Sequence, residues 1–234
     1  MVEDLDLETF ISISPKEFGI YLFDIKKRKN LYSKELKINN HTHSIDFKSL
    51  DLFLTDNIFK LEKLTGKFIK NITLIIEHIK ISNINFGIKK KNYDEIINKK
   101  YFENTLVDAK DLYKENFQSE KIMHIIINNY FVNGKNYPTY QENLHGDFFC
   151  IELKFISIPI NLTAQIESIF QKYHININEY LDGKYIKTLF QNNFTIISDI
   201  AYKVKSGFNE NEVKLIPKNY KKNGIFEKFF QLFS

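Results

Sequence analysis

The sequence predicts an α+β fold. A small antiparallel sheet at the N-terminus leads into a strand-helix-strand-strand subdomain, and the chain ends in an amphipathic helix. Three observations carry this. Phe149, Ile151, Leu153 and Phe155 alternate with Cys150, Glu152 and Lys154, the period of a half-buried strand. Leu50, Phe53, Leu54, Ile58, Leu61 and Leu64 recur at three- and four-residue steps, the period of a helix. Ile225, Phe226, Phe229, Phe230 and Phe233 fall on one stripe when wound at helical pitch.

The elements follow in order. Residues 9–14 and 18–24 read as strands joined through Pro15-Lys16-Glu17, and a charged turn at 26–30 leads to a third strand at 31–38. Three such strands make an antiparallel meander. The helix over 47–64 stops at Gly66, which suits a left-handed cap. Strands are expected at 69–77 and 84–88, and a helix at 101–117. The strand 121–132 ends at Asn133-Gly134, two residues that tolerate positive φ and so signal a tight hairpin. A second long strand, 147–158, is stopped by Pro159, which has no N–H to give a ladder. Asn161 is the expected N-cap of a helix carrying Leu162, Ile166, Ile169 and Phe170, and a strand follows near Ile177. A short helix is expected at 182–190. The segment 193–204 suits either helix or strand, and 206–223 reads as a polar tether.

The chain has 234 residues, 43% of them hydrophobic, with 22 Phe, enough for one or two domains with a substantial core. One cysteine excludes an intramolecular disulfide and suits a reducing compartment. Cys150, inside a strand, is expected to be a buried inert thiol. The amino end is acidic, the wrong sign for a secretory leader. No apolar run approaches the ~20 residues that span a bilayer. The formal charge of +4 belongs to residues 214–234, with Lys214, Lys218, Lys221, Lys222 and Lys228 against Glu227; the remaining chain carries 28 basic and 28 acidic residues. That neutral body argues against a nucleic-acid footprint.

The succession from 121 to 177 resembles the inserted subdomain of FtsA, the actin-like bacterial cell-division protein. His124, Tyr130, Val132, Gly134, Gly146, Leu153, Asn161 and Leu162 fall at matching places. Upstream, Ile58 to Glu62, Gly66, Ile69 and the strand 72–76 look like the family's helix, glycine and strand. The resemblance covers roughly residues 45–190, and PilM-type pilus proteins share a similar subdomain. On this reading the chain divides into degenerate actin-type strands (1–44), an FtsA-like interaction subdomain (45–190), a residual element with tether (191–223) and a membrane-targeting helix (224–234).

The chemistry of an actin-type ATPase is not where the resemblance would put it. Such proteins have an Asp before a Gly-rich turn in the first hairpin, whose amides cradle phosphates. Here the segment is Ser12-Ile13-Ser14-Pro15-Lys16-Glu17-Phe18-Gly19. The Asp is missing, Pro15 lacks an N–H, and Gly19 falls inside the second strand. No Asp-x-Gly-Gly segment follows, and the family's second lobe is not expected in the residues after Phe190. No ATP or other cofactor is expected. His41 and His43 have no third metal ligand in sequence, and no G-x-S-x-G elbow appears. No catalytic or metal residue is assigned.

Two binding surfaces are expected. The stripe Ile225, Phe226, Phe229, Phe230 and Phe233, about 15 Å long as a helix, is read as lying in a membrane interface. Lys221, Lys222 and Lys228 would meet anionic headgroups at about 1 kcal/mol each. Packing on its own domain or in a partner groove is the competing reading. The second surface is a partner-docking face at Tyr137, Tyr140, Leu144 and His145. The expected function is a non-enzymatic, membrane-tethered divisome adaptor at the cytoplasmic face of the bacterial inner membrane, at the division site. Its partners would be other division proteins and further copies of the chain. The alternatives are a PilM-like pilus or secretion scaffold and a basic-tailed nucleic-acid-binding protein.

Overall fold

The computed structural model describes residues 6–38, 43–138, 141, 144–190 and 196–214. The fold is mixed α+β, and the chain forms two compact units. The first comprises residues up to Ile81 together with Pro159–Phe208. The second comprises Ser82–Ile158 and the residues from Asn209 onward. The chain therefore passes between units three times.

The first unit opens with β1 (Leu7–Ile13), β2 (Glu17–Asp24) and β3 (Lys29–Lys37). These form the expected antiparallel meander, registered from Leu7↔Asp24 to Ile13↔Phe18 and from Glu17↔Lys37 to Asp24↔Lys29. Helix α1 (Phe47–Thr65) follows. Asp46 caps its start by accepting from the N–H groups of Lys48 and Ser49, and Gly66 at φ 66° closes it. The predicted stripe Leu50, Phe53, Leu54, Ile58 and Leu61 is buried, while Leu64 is exposed. Strand β4 (Asn71–Ile76) pairs parallel to β1.

The second unit holds β5 (Ser82–Lys91), β6 (Ile96–Ile97), α2 (Lys99–Asn116), β7 (Glu120–Val132), β8 (Lys135–Tyr137), β9 (Leu144–His145) and β10 (Phe148–Pro159). The chain then re-enters the first unit with α3 (Ile160–Gln171), β11 (Asn176–Asp182), α4 (Gly183–Thr188) and α5 (Ile197–Lys205). It returns once more with β12 (Glu212–Val213). β11 joins β4 in parallel, giving the order β11-β4-β1-β2-β3. α1 and α5 lie on opposite faces of this sheet. Phe18 on one side of β2 meets Phe53, while Phe23 on the other meets Tyr202, their rings 5.7 Å apart.

The second unit is a sheet of order β12-β7-β10-β5 covered on one face by α2. Phe102, Leu106, Ala109 and Tyr113 of the helix are buried with Phe149, Ile151, Leu153 and Phe155 of β10. Asn133 (φ 49°) and Gly134 (φ 80°) supply the two left-handed residues of the β7–β8 hairpin, as their sequence indicates.

Several expectations change. Residues 121–177 are not one subdomain. β7 and β10 belong to the second unit, α3 and β11 to the first, because β10 ends in one sheet and runs directly into a helix that packs on the other. The compact units divide at 81/82, 158/159 and 208/209, a different partition from the expected segments bounded at 44/45, 190/191 and 223/224. Pro159, not Asn161, stands at the N-cap of α3, with no side-chain cap bond. The ambiguous 193–204 stretch is helical from Ile197. The start of the expected tether is held: Glu212 and Val213 pair with Ile126 and Ile125, and Glu212 Oε1 lies 2.6 Å from Nδ1 of buried His124. Cys150 is half-buried on the face opposite the core, and desolvation with nearby Glu152 raises its thiol above the ordinary value.

Candidate functional site

The place where an actin-type protein would hold phosphate is the turn between β1 and β2. Every N–H of that turn is accounted for. Ser14 donates its N–H to the Glu17 carbonyl at 2.9 Å. Pro15 has none. The N–H groups of Lys16 and Glu17 both go to Ser14 Oγ, at 3.2 and 3.0 Å, and that hydroxyl donates onward to the Glu17 carbonyl at 3.1 Å. Phe18 re-enters the ladder opposite Ile13. A serine hydroxyl thus occupies the donors that a phosphate would need.

Beside the turn lies a hollow of about 380 Å³ between the ends of β1 and β4 and the start of α5. Ile13, Ile75, Ile196 and Ile197 give it apolar walls. Its polar lining is Ser12, Ser14, Tyr21, Glu17, Glu35, Glu77 and Lys187. Lys187 is paired with Glu77, and Tyr21 donates to Glu35 at 2.8 Å. Burial above all raises the Tyr21 phenol well beyond its ordinary range; Ser12 pulls the other way and Glu35 adds to the rise. The phenol therefore stays a donor. Three carboxylates against one cation, itself paired, make the hollow repel a polyphosphate. The residues present do not fit a nucleotide.

Gly19 also has a local role. It sits opposite Ser12 in the register, and a Cβ there would come within 2.5 Å of Ser12 Oγ and 2.3 Å of Tyr21 Oη. The glycine makes room for Tyr21 to lie across the sheet, rather than for a ligand.

The expected docking face divides. Tyr137 stacks on Tyr130 with ring centroids 6.3 Å apart, and Leu144 packs on the core of the second unit. His145 is exposed and pairs with Ile96. Tyr140 and the membrane stripe with its lysines (221–233) lie outside the described residues, as do His41 and Thr42. Among the described residues, no group of three or more His, Cys, Asp or Glu is placed to hold a metal. No described helix is long and apolar enough to cross a membrane. The convergence of Tyr21, Glu35, Glu77 and Lys187 had no signal in the sequence, since they come from four separate elements. The Ser14 cap did have one, a serine directly before proline at the mouth of a hairpin.

No family model and no curated protein matches the chain. Solved structures do. The chain is similar to a PilM–PilN type IV pilus biogenesis complex at 8% identity and a TM-score of 0.49, over 78% of this chain and 49% of that one. It is similar to the cytoplasmic domain of EpsL, an inner-membrane component of the type II secretion system of Vibrio cholerae, at 6% identity and a TM-score of 0.37, over 76% and 59%. A Bacteroides thetaiotaomicron protein described as having an actin-like ATPase fold and unknown function is 14% identical with a TM-score of 0.32, over 81% and 58%. The chain spans between 49% and 59% of the length of these structures.

Proposed function

We propose that the chain is a non-enzymatic adaptor, joining other proteins at the cytoplasmic face of the bacterial inner membrane, with cell division as the process it serves. The observation that supports the non-enzymatic part is the β1–β2 turn. Ser14 satisfies the N–H groups of Lys16 and Glu17, Pro15 removes another, and Glu17, Glu35 and Glu77 surround the adjacent hollow. The resemblance over residues 45–190 implies contact with other proteins, the work of the corresponding subdomain in FtsA-like proteins. The test is a calorimetric titration of the full chain with Mg-ATP. No heat of binding is expected up to millimolar nucleotide, and micromolar affinity would overturn the reading.

The membrane part rests on the sequence of residues 221–233. Each Phe or Ile fully buried contributes about 1.5–3 kcal/mol, partly offset by the cost of ordering a short helix, so the attachment is weak and reversible. A chain ending at Tyr220 is expected to lose co-sedimentation with anionic liposomes. Undiminished binding by that chain would show the anchor to lie elsewhere. Pilus or secretion assembly is the second machine that an adaptor of this build would serve. A fluorescent fusion gathering at mid-cell supports division, and one gathering at pilus or secretion sites supports the alternative.

A further inference from the structure

Among the described residues, the second unit leaves one long strand edge open. β5 ends the sheet order and is hydrogen-bonded to a single neighbour, β10, through ten consecutive pairs from Phe148↔Lys91 to Ser157↔Ser82. Proteins usually blunt such an edge with a proline, a bulge or a short strand. β5, Ser-Asn-Ile-Asn-Phe-Gly-Ile-Lys-Lys-Lys, has no proline and no register shift. Among the described residues, the charges that guard it are Lys89 and Lys91, since Lys90 turns to the other face and pairs with Asp108.

The side chains around this edge give it a chemical preference. Alternate residues of β5 face α2 and the core, so Asn85, Gly87, Lys89 and Lys91 share the opposite face. Above Gly87 there is open space: a Cβ built there would meet nothing within 4 Å. Lys89 lies over the Phe148 ring at 4.5 Å, and Lys91 over the Tyr93 ring at 4.6 Å. Their ammonium groups are thus held along the strand. Inward from Lys89 is a shallow hollow of about 490 Å³ lined by Phe131, Phe148, Cys150, Asn133 and Gly134. Phe148 is 42% exposed although it sits in a sheet. The pattern along one face is therefore a gap, then a cation beside an aromatic hollow, then a second cation.

We propose that β5 is a docking edge for an extended, acidic segment of a partner protein, which adds to the sheet as a further strand. Backbone bonds to the edge supply affinity, and side chains at every second position supply choice. An aromatic or large aliphatic side chain of the incoming strand lies over Gly87. Carboxylates two and four residues away face Lys89 and Lys91. The recognised pattern is apolar-x-acidic-x-acidic for a parallel strand, and its reverse for an antiparallel one. The inference rests on the adaptor reading in taking a protein as the partner. It places that partner away from Tyr137 and Leu144, whose side chains are engaged within the unit.

The probe is an end-capped decapeptide alternating Thr with Glu and Val around a central Phe in that pattern, added to the ¹⁵N-labelled full chain. Backbone amide shifts and slowed hydrogen exchange are expected along 82–91. Lys89→Glu with Lys91→Glu, both exposed positions, is expected to weaken binding at least tenfold while leaving the remaining spectrum unchanged. The same peptide with Lys for Glu is expected not to bind. Equal binding of the two peptides, or acidic-peptide shifts confined to other strands, overturns the proposal. So does protection of 82–91 that rises with protein concentration alone, which assigns the edge to a second copy. The Mg-ATP titration and the localisation experiment are unaffected by any of these outcomes, so failure of the edge and failure of the adaptor reading are separable.

Discussion

Phe155→Ala is expected to destabilise the second unit by about 3–5 kcal/mol, the range for removing a fully buried aromatic ring. Phe155 is 0% exposed. Its ring stacks on Tyr113 at 4.3 Å with 9° between planes, and meets Phe86 edge-on at 6.1 Å. Tyr113 is held in turn: its hydroxyl lies 2.7 Å from Ser157 Oγ, which donates to Glu120 at 2.9 Å. The surrounding groups are therefore fixed by hydrogen bonds on the far side and cannot collapse into the space. That places the loss at the upper end. Phe148→Ala, on the open face of the same strand, is expected to cost well under half as much. Urea titration combined with hydrogen exchange of the β10 amides measures both. A Phe155→Ala loss below about 1.5 kcal/mol would mean that the unit repacks freely, and so would falsify the account of its core.

Gly19→Ala is expected to cost about 1–3 kcal/mol, the usual range for forcing atoms into a filled site. Ordinary reasoning about a glycine inside a strand points the other way, since alanine reduces the freedom of the unfolded chain. Here the added methyl meets Tyr21 Oη at 2.3 Å, Ser12 Oγ at 2.5 Å and Tyr21 Cζ at 2.7 Å. The Tyr21 ring cannot swing away cheaply, because its hydroxyl donates to Glu35 and the residue is almost fully buried. Tyr21→Phe removes the closest of these atoms and the bond that fixes the ring. In that background Gly19→Ala is expected to cost at least 0.5 kcal/mol less, a coupling of the size seen between residues in contact. Additive effects across the cycle would sink the explanation, and would return Gly19 to the status of an ordinary strand glycine.

The local elements were largely legible because each is written in a short stretch. The hairpin at Asn133-Gly134, the glycine that closes α1 at Gly66, and the buried stripe of α1 depend on neighbours within a turn or two. The unit boundaries were not legible, because they depend on which sheet a strand joins. Nothing in Phe148–Pro159 states that its last residues hand the chain to a helix of another unit. The hollow beside β1 was hidden for the same reason: Tyr21, Glu35, Glu77 and Lys187 are brought together by sheet order and by α4. The lack of an Asp and a Gly-rich turn at residues 12–19 is read directly from the sequence, whereas the Ser14 hydroxyl that accepts from the N–H groups of Lys16 and Glu17 is a matter of geometry. Glu212 and Val213 read as tether since two residues carry no periodicity, yet His124 and β7 hold them.

The threefold passage of the chain between units also sets the order in which it can acquire structure. β4 and β11 are neighbours in one sheet, paired from Asn71↔Asn176 to Asp182↔Ile76, but the whole run from β5 to β10 lies between them in sequence. On a ribosome, β11 emerges only after those strands. The second unit therefore has everything it needs except β12 while the first still waits for its last parallel strand, α4 and α5. Closing the long loop between β4 and β11 is costly for an unstructured segment. A segment already folded, with its ends fixed where β5 begins and β10 finishes, brings those strands together as a short connection. The inserted unit is thus the natural nucleus for its host, and damage to its core, as at Phe155, should slow the assembly of a sheet to which it contributes no strand.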